Sequence, residues 1–152
     1  MKKYELTSEM KVICGVEYHR IKALKSFGNV KKGDLGGWIE SEKNLSQYGN
    51  AWVGGNATVC GNARADGNAI VREGADYIVF KNWWSSGRYF TWTRSNNMWK
   101  VGCFYGSGEE LIAKAYKDSE KSGREYERVV KYVNDILKEE DNDNGNRNKR
   151  EG

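Results

Sequence analysis

Gly49-Asn50-Ala51, Gly55-Asn56-Ala57, Gly61-Asn62-Ala63 and Gly67-Asn68-Ala69 follow one another at a strict spacing of six residues. Two positions beyond each alanine stand Val53, Val59, Ala65 and Val71. The phase runs on loosely upstream through Ile39 and Leu45 and downstream through Ala75 and Tyr77. A period of six matches neither an α-helix nor a simple alternating strand. It predicts short flat strands joined by tight corners, stacked in parallel coils. Each alanine and the residue two places on then face one interior, while Gly and Asn take corners that need a left-handed backbone.

Composition fits this reading. The chain of 152 residues has 18 Gly and no Pro, and a proline in such a wall would delete a ladder N–H. Residues 37–78 hold about seven hexads, too short a stack to stand without caps at its ends. Between residues 44 and 70 the sequence carries no charge but Arg64 and Asp66. The outward positions there include Trp52, Thr58, Arg64 and Ile70. Trp52 and Ile70 are accordingly the expected interface residues of a self-associating wall, the alternative being two isolated exposed apolar side chains.

The flanks read differently. Residues 1–36 are N-terminal strands that cap the repeat, with Val12–Cys14 and Val16–Ile21 forming a hairpin about Gly15. Residues 79–106 form a β-hairpin, Tyr89–Arg94 and Met98–Phe104 flanking Ser95-Asn96-Asn97. In residues 107–138, apolar side chains at helical spacing predict a helical region that breaks or kinks at Ser122-Gly123. Residues 139–152 are charged and almost free of apolar residues, which predicts a disordered tail.

Chemistry is sparse. The lone histidine, His19, has no evident partner, and the acidic Asp34 and Glu40 near the start of the repeat read as solvated groups. There is no CxxC pair, and Cys14, Cys60 and Cys103 lie far apart. No metal or other cofactor and no catalytic residue is therefore expected, and the thiols read as reduced in a cytoplasmic protein. No apolar run reaches the ~18–20 residues of a membrane span, and no signal peptide is recognisable, so no membrane partner is expected. No recognition helix or long basic stripe speaks for duplex DNA.

The informative stretch is 79–106. It carries Lys81, Arg88, Arg94 and Lys100, has no acidic residue, and holds nine of the chain's 19 aromatics. Guanidinium groups bind phosphate in bidentate fashion, and aromatic faces stack bases. Trp83, Trp84, Arg88, Tyr89, Trp92, Arg94 and Trp99 are the candidate ligand-binding residues. The competing explanation is that these aromatics only cover the open end of the repeat core.

The hexads, with the lead-in Gly33-Asp34-Leu35-Gly36-Gly37-Trp38-Ile39-Glu40, Asn44-Leu45-Ser46, and Gly102-Cys103-Phe104 followed by Glu109-Glu110-Leu111, resemble a family of small phage and prophage proteins with left-handed β-helix repeats, mostly uncharacterised. The resemblance spans about residues 4–137 and implies a mainly β fold: a short left-handed parallel β-helix (β-solenoid) with N-terminal strands, a C-terminal β-hairpin and an α-helical cap. It also implies a phage context, in which the cytoplasm expected from the reduced thiols is that of the host cell. The expectation is a phage-encoded, non-enzymatic binding protein, a homo-oligomer (trimer or dimer). It would act against host defence by sequestering a nucleotide-like signal or by binding a defence protein. The alternatives are a hexapeptide-repeat acyltransferase-like enzyme, although no histidine lies in the repeats, and a structural oligomerisation module.

Overall fold

Two runs of apolar side chains, one alternating and one with helical spacing, end up in two separate units of a computed structural model that describes residues 1–151: Met1–Ser107, and a helical unit from Gly108 onward. In the first unit, β1 (Tyr4–Ile13) and β2 (Val16–Ala23) pair antiparallel, closing at Ile13 and Val16. The two-residue turn between them places both Cys14 (φ 53°) and Gly15 (φ 80°) in the left-handed region, as the turn that matches strand twist requires. A bulge between Leu6 and Met10 interrupts the β1–β2 ladder.

β3 (Leu35–Ile39) joins β2 antiparallel, and β5 (Thr58–Val59) joins β3 in parallel to complete a four-stranded sheet. Between them in sequence lies β4 (Trp52–Val53), which pairs in parallel with β6 (Ile70–Val71) as a separate two-stranded sheet. A single parallel bridge links Leu45 with Ala65. Ala51, Val53, Ala57, Val59, Ala63, Ala65, Ala69 and Val71 are all buried, so the six-residue phase does set which side chains face inward. Gly49, Gly55, Gly61 and Gly67 all have φ between 57° and 69°, the backbone that their corners need.

The expectation of a mainly parallel β-helix or β-solenoid is nevertheless wrong for the fold as a whole. The chain is mixed, with largely antiparallel sheets and two helices. Parallel pairing is confined to ladders of two residues and one bridge. Strands so short supply few ladder hydrogen bonds, and the longer flanking segments form antiparallel ladders that set the architecture.

Side chains fasten the N-terminal strand to the repeat. Gln47 Oε1 accepts from the amides of Lys3 (2.8 Å) and Tyr4 (3.2 Å), and the Tyr4 hydroxyl donates to Leu45 O at 2.6 Å. Lys3 is fully buried, its Nζ donating to Ala51 O at 2.6 Å and lying 5.0 Å from the Phe27 ring centre. Burial pushes its ammonium down to about 8, against a weaker upward pull from Asp66.

The second sheet is wholly antiparallel, in the order β10 (Phe104–Gly106), β9 (Met98–Val101), β8 (Tyr89–Thr93), β7 (Tyr77–Lys81). The expected hairpin is its two central strands, closing at Thr93 and Met98. Along β8, Phe90 and Trp92 share one face, Thr91 and Thr93 the other. The threonine face meets the repeat, where Thr91 Oγ1 accepts from the Arg64 amide at 3.1 Å. Ser95 Oγ likewise accepts from the Ile70 amide at 2.8 Å. The contacts with the repeat are thus polar at Thr91 and Ser95 and aromatic at Tyr77, which packs against the repeat core, and at Tyr105, whose ring fills the space beside Gly67.

In the helical unit, α1 (Gly108–Asp118) and α2 (Glu120–Glu151) pack on one another. The break falls at Ser119 rather than at Ser122-Gly123. Gly123 lies inside α2, where the Tyr116 ring occupies the space a side chain would need. Leu111, Ala115, Tyr126, Val130 and Val133 are buried. Residues 139–151 continue α2 instead of forming a tail without regular structure; Gly152, the last residue of that expected tail, lies outside the described residues.

Candidate functional site

The seven residues nominated from the sequence do not form one surface. Trp92 and Trp99 face each other in register and are fully buried, with Trp92 Nε1 donating to Asn97 Oδ1 at 2.7 Å. Trp99 belongs to an aromatic cluster with Phe80 and Phe90, whose rings lie 5.6 Å apart and stack. Neither indole can stack on a ligand without the core opening. Arg94 is half-buried and braces the same hairpin: its Nε donates to Ala75 O at 3.0 Å, and its guanidinium lies 5.3 Å from the Trp92 ring.

Trp83, Trp84, Arg88 and Tyr89 remain, and the structure does bring them together at one end of the β7–β8 pair. Asn82 builds that end. It is buried, its Oδ1 accepts from the amide (2.9 Å) and hydroxyl (3.1 Å) of Ser85, and its amide donates to Arg88 O at 2.8 Å. A side chain that organises its own loop in this way is a recognised role of asparagine, and Asn82 with Ser85 three residues on was the sequence signal for it. On this frame Trp83 is 67 % exposed and meets Trp84 edge to face, with ring centres 5.9 Å apart. Tyr89 is exposed beside Lys81, whose Nζ lies 5.8 Å from its ring centre. The Arg88 guanidinium lies against Gly102, in the space where any Cβ would stand. The result is an aromatic and cationic tip in a stretch of sequence without a carboxylate.

The nominated interface pair behaves in a similar divided way. Trp52 and Ile70 are partners in the β4–β6 register. Trp52 is nonetheless only 6 % exposed, because Phe27 packs edge-on against it at 5.4 Å. Gly36 has no room for a Cβ beside the Trp52 ring, so β3 also approaches it closely. Trp52 is thus a core residue, not an open contact for a second copy, and Ile70 is half-buried. Beside this pair lies a groove of about 470 Å³, walled on one side by the loop that carries Gly28 and Asp34.

Charge between the two regions of the first unit converges on Asp66. Burial pushes its carboxyl up, but the Gly67 amide at 2.7 Å, Arg64 Nε at 3.1 Å and Lys100 Nζ at 3.4 Å outweigh this and hold it below its ordinary value. These contacts give Asp66 a structural role. Among the described residues no cluster of three metal-ligating side chains occurs, and no helix is long and apolar enough to cross a membrane. The three cysteines are free thiols. No protein family matches the chain, and no curated protein matches it either.

Proposed function

We propose that this is a phage-encoded, non-enzymatic binding protein that works against host defence by engaging a defence protein through the Trp83–Trp84–Arg88–Tyr89 tip. The exposure of Trp83 on a loop fixed from below by Asn82 carries this reading. Tryptophan, tyrosine and arginine are the residue types that dominate protein-binding hot spots, and a pre-ordered loop loses little entropy when it binds. A large indole that stays two-thirds exposed on an ordered loop costs solubility, which is the pattern of a contact residue. The phage setting rests on the resemblance of the hexads and their lead-in to that family.

The test is affinity capture from a lysate of the host, comparing the native protein with Trp83→Ala and with Arg88→Ala. One host protein recovered in stoichiometric amount by the native chain, and lost with either variant at unchanged circular dichroism, is the expected result. Equal recovery by all three proteins would place the contact elsewhere. No recovered protein at all would end the reading.

A further inference from the structure

We propose that the groove beside β4 and β6 is a second binding site, and that its ligand is a nucleoside phosphate. The site is independent of the aromatic tip and lies on the repeat itself. Its apolar part is the half-buried Ile70, with an edge of the otherwise covered Trp52 beside it. Before this pair in the two strands come Asn50 and Asn68, and after it come Gly54 and Arg72. Both pairs line the groove. The polar ends are thus four residues apart along each strand, about 13 Å in extended chain. A volume of about 470 Å³ falls within the range of small-molecule sites.

The end at Arg72 favours an anion. Its guanidinium makes no ion pair among the described residues, and the Asp76 carboxylate is engaged by the backbone amides of Arg72 (2.8 Å) and Glu73 (3.1 Å). Gly54 lies 3.9 Å from Arg72 Cγ at its would-be Cβ, so the arginine stem crosses a residue that has no side chain to obstruct the groove. Guanidinium and phosphate oxygens match in bidentate geometry.

The other polar groups set what the anion is attached to. Asn68 Oδ1 accepts from Asn96 Nδ2 at 2.9 Å, so the part of this amide left for a ligand is its NH₂ donor. Asn50 has both its donor and its acceptor to offer. Asp34 lines the same groove with one carboxylate oxygen taken by the Lys31 amide at 2.9 Å, leaving the other as an acceptor. A carboxylate in the lining tells against a polyanion and in favour of a ligand with N–H donors. One anionic group, a flat partly apolar body and a hydrogen-bonding edge with N–H donors together describe a purine nucleoside phosphate.

The experiment is titration of the full chain with guanosine 5′-monophosphate, adenosine 5′-monophosphate, guanosine and inorganic phosphate. Calorimetry and the side-chain amide signals of ¹⁵N-labelled protein are read together. Saturable binding of at least one monophosphate is expected, with shifts in the Asn50 and Asn68 amides. Arg72→Gln should weaken it at least tenfold, and Asn50→Leu should weaken it without unfolding the protein, since both positions are exposed. Trp83→Ala should leave it unchanged, which separates this site from the tip. Failure of both monophosphates to bind, equal binding of guanosine or of phosphate alone, or full affinity in Arg72→Gln would each overturn the assignment.

Discussion

The repeat and the second sheet of the first unit bury their interiors by opposite means. The repeat uses small side chains, alanine and valine at six-residue intervals from Ala51 to Val71, all of them inside. The sheet from β7 to β10 uses a few large ones, Phe90, Trp92 and Trp99. Small side chains let backbones approach one another closely, as where Gly37 leaves no room between its own backbone and Ala57 O. Large rings fill space with few residues, and each carries more of the stability. The two interiors should therefore respond differently to truncation.

The sharpest way to break the comparison is Trp92→Ala. Emptying an aromatic core site costs about 3–5 kcal/mol, and urea unfolding followed by circular dichroism should show a loss of that size or a chain that no longer folds. Val59→Ala, in the repeat, removes two methyl-sized groups and should cost about 1.5–2.5 kcal/mol. If the valine change proves as damaging as the tryptophan change, the small-residue interior is the more important of the two. Asp66→Asn keeps the shape but weakens the ties from Arg64 and Lys100, with an expected loss of about 1–2 kcal/mol. That loss should shrink on acidification. A carboxyl whose folded pKa is lowered stabilises above its unfolded value, and its contribution goes as pH falls through the folded one.

Lys3 sharpens the same contrast from the alkaline side. Its pKa of about 8 lies below the ordinary 10.5, so between these values the unfolded chain holds more protons and stability rises with pH. The difference in stability between the native protein and Lys3→Met should narrow across that window, with the variant favoured at pH near 7. A constant difference would show that the buried amine pairs in some other way. The smallest effect is expected at the tip, where Trp83→Ala should change stability by less than about 0.5 kcal/mol while removing partner capture.

How much of this could be read beforehand differs residue by residue. Ala57 and Val59 could be assigned to the interior from spacing alone, because a strict period leaves one phase that buries small residues together. Gly15 was readable as a turn or bulge for a similar local reason, whereas the share of Cys14 in that turn was not. Trp92 and Trp83 could not be told apart: both are tryptophans in one aromatic stretch, and nothing local says which ring the core takes. Trp52 was placed outward by phase, but Phe27 from a distant loop packs on it and makes it part of the core.

By itself, then, the sequence determined the inward positions of the hexads, their left-handed corners, two hairpin turns and the helical character of residues 107–138. These depend on backbone preferences and on periods that a few neighbouring residues express. Tertiary structure alone decided that antiparallel sheets outweigh the parallel pairs, and that Thr91 rather than Trp92 faces the repeat. It also decided that Asn50, Asn68, Arg72 and Asp34 line one groove. Those outcomes depend on which distant surfaces exclude water from one another, and no local pattern records that choice.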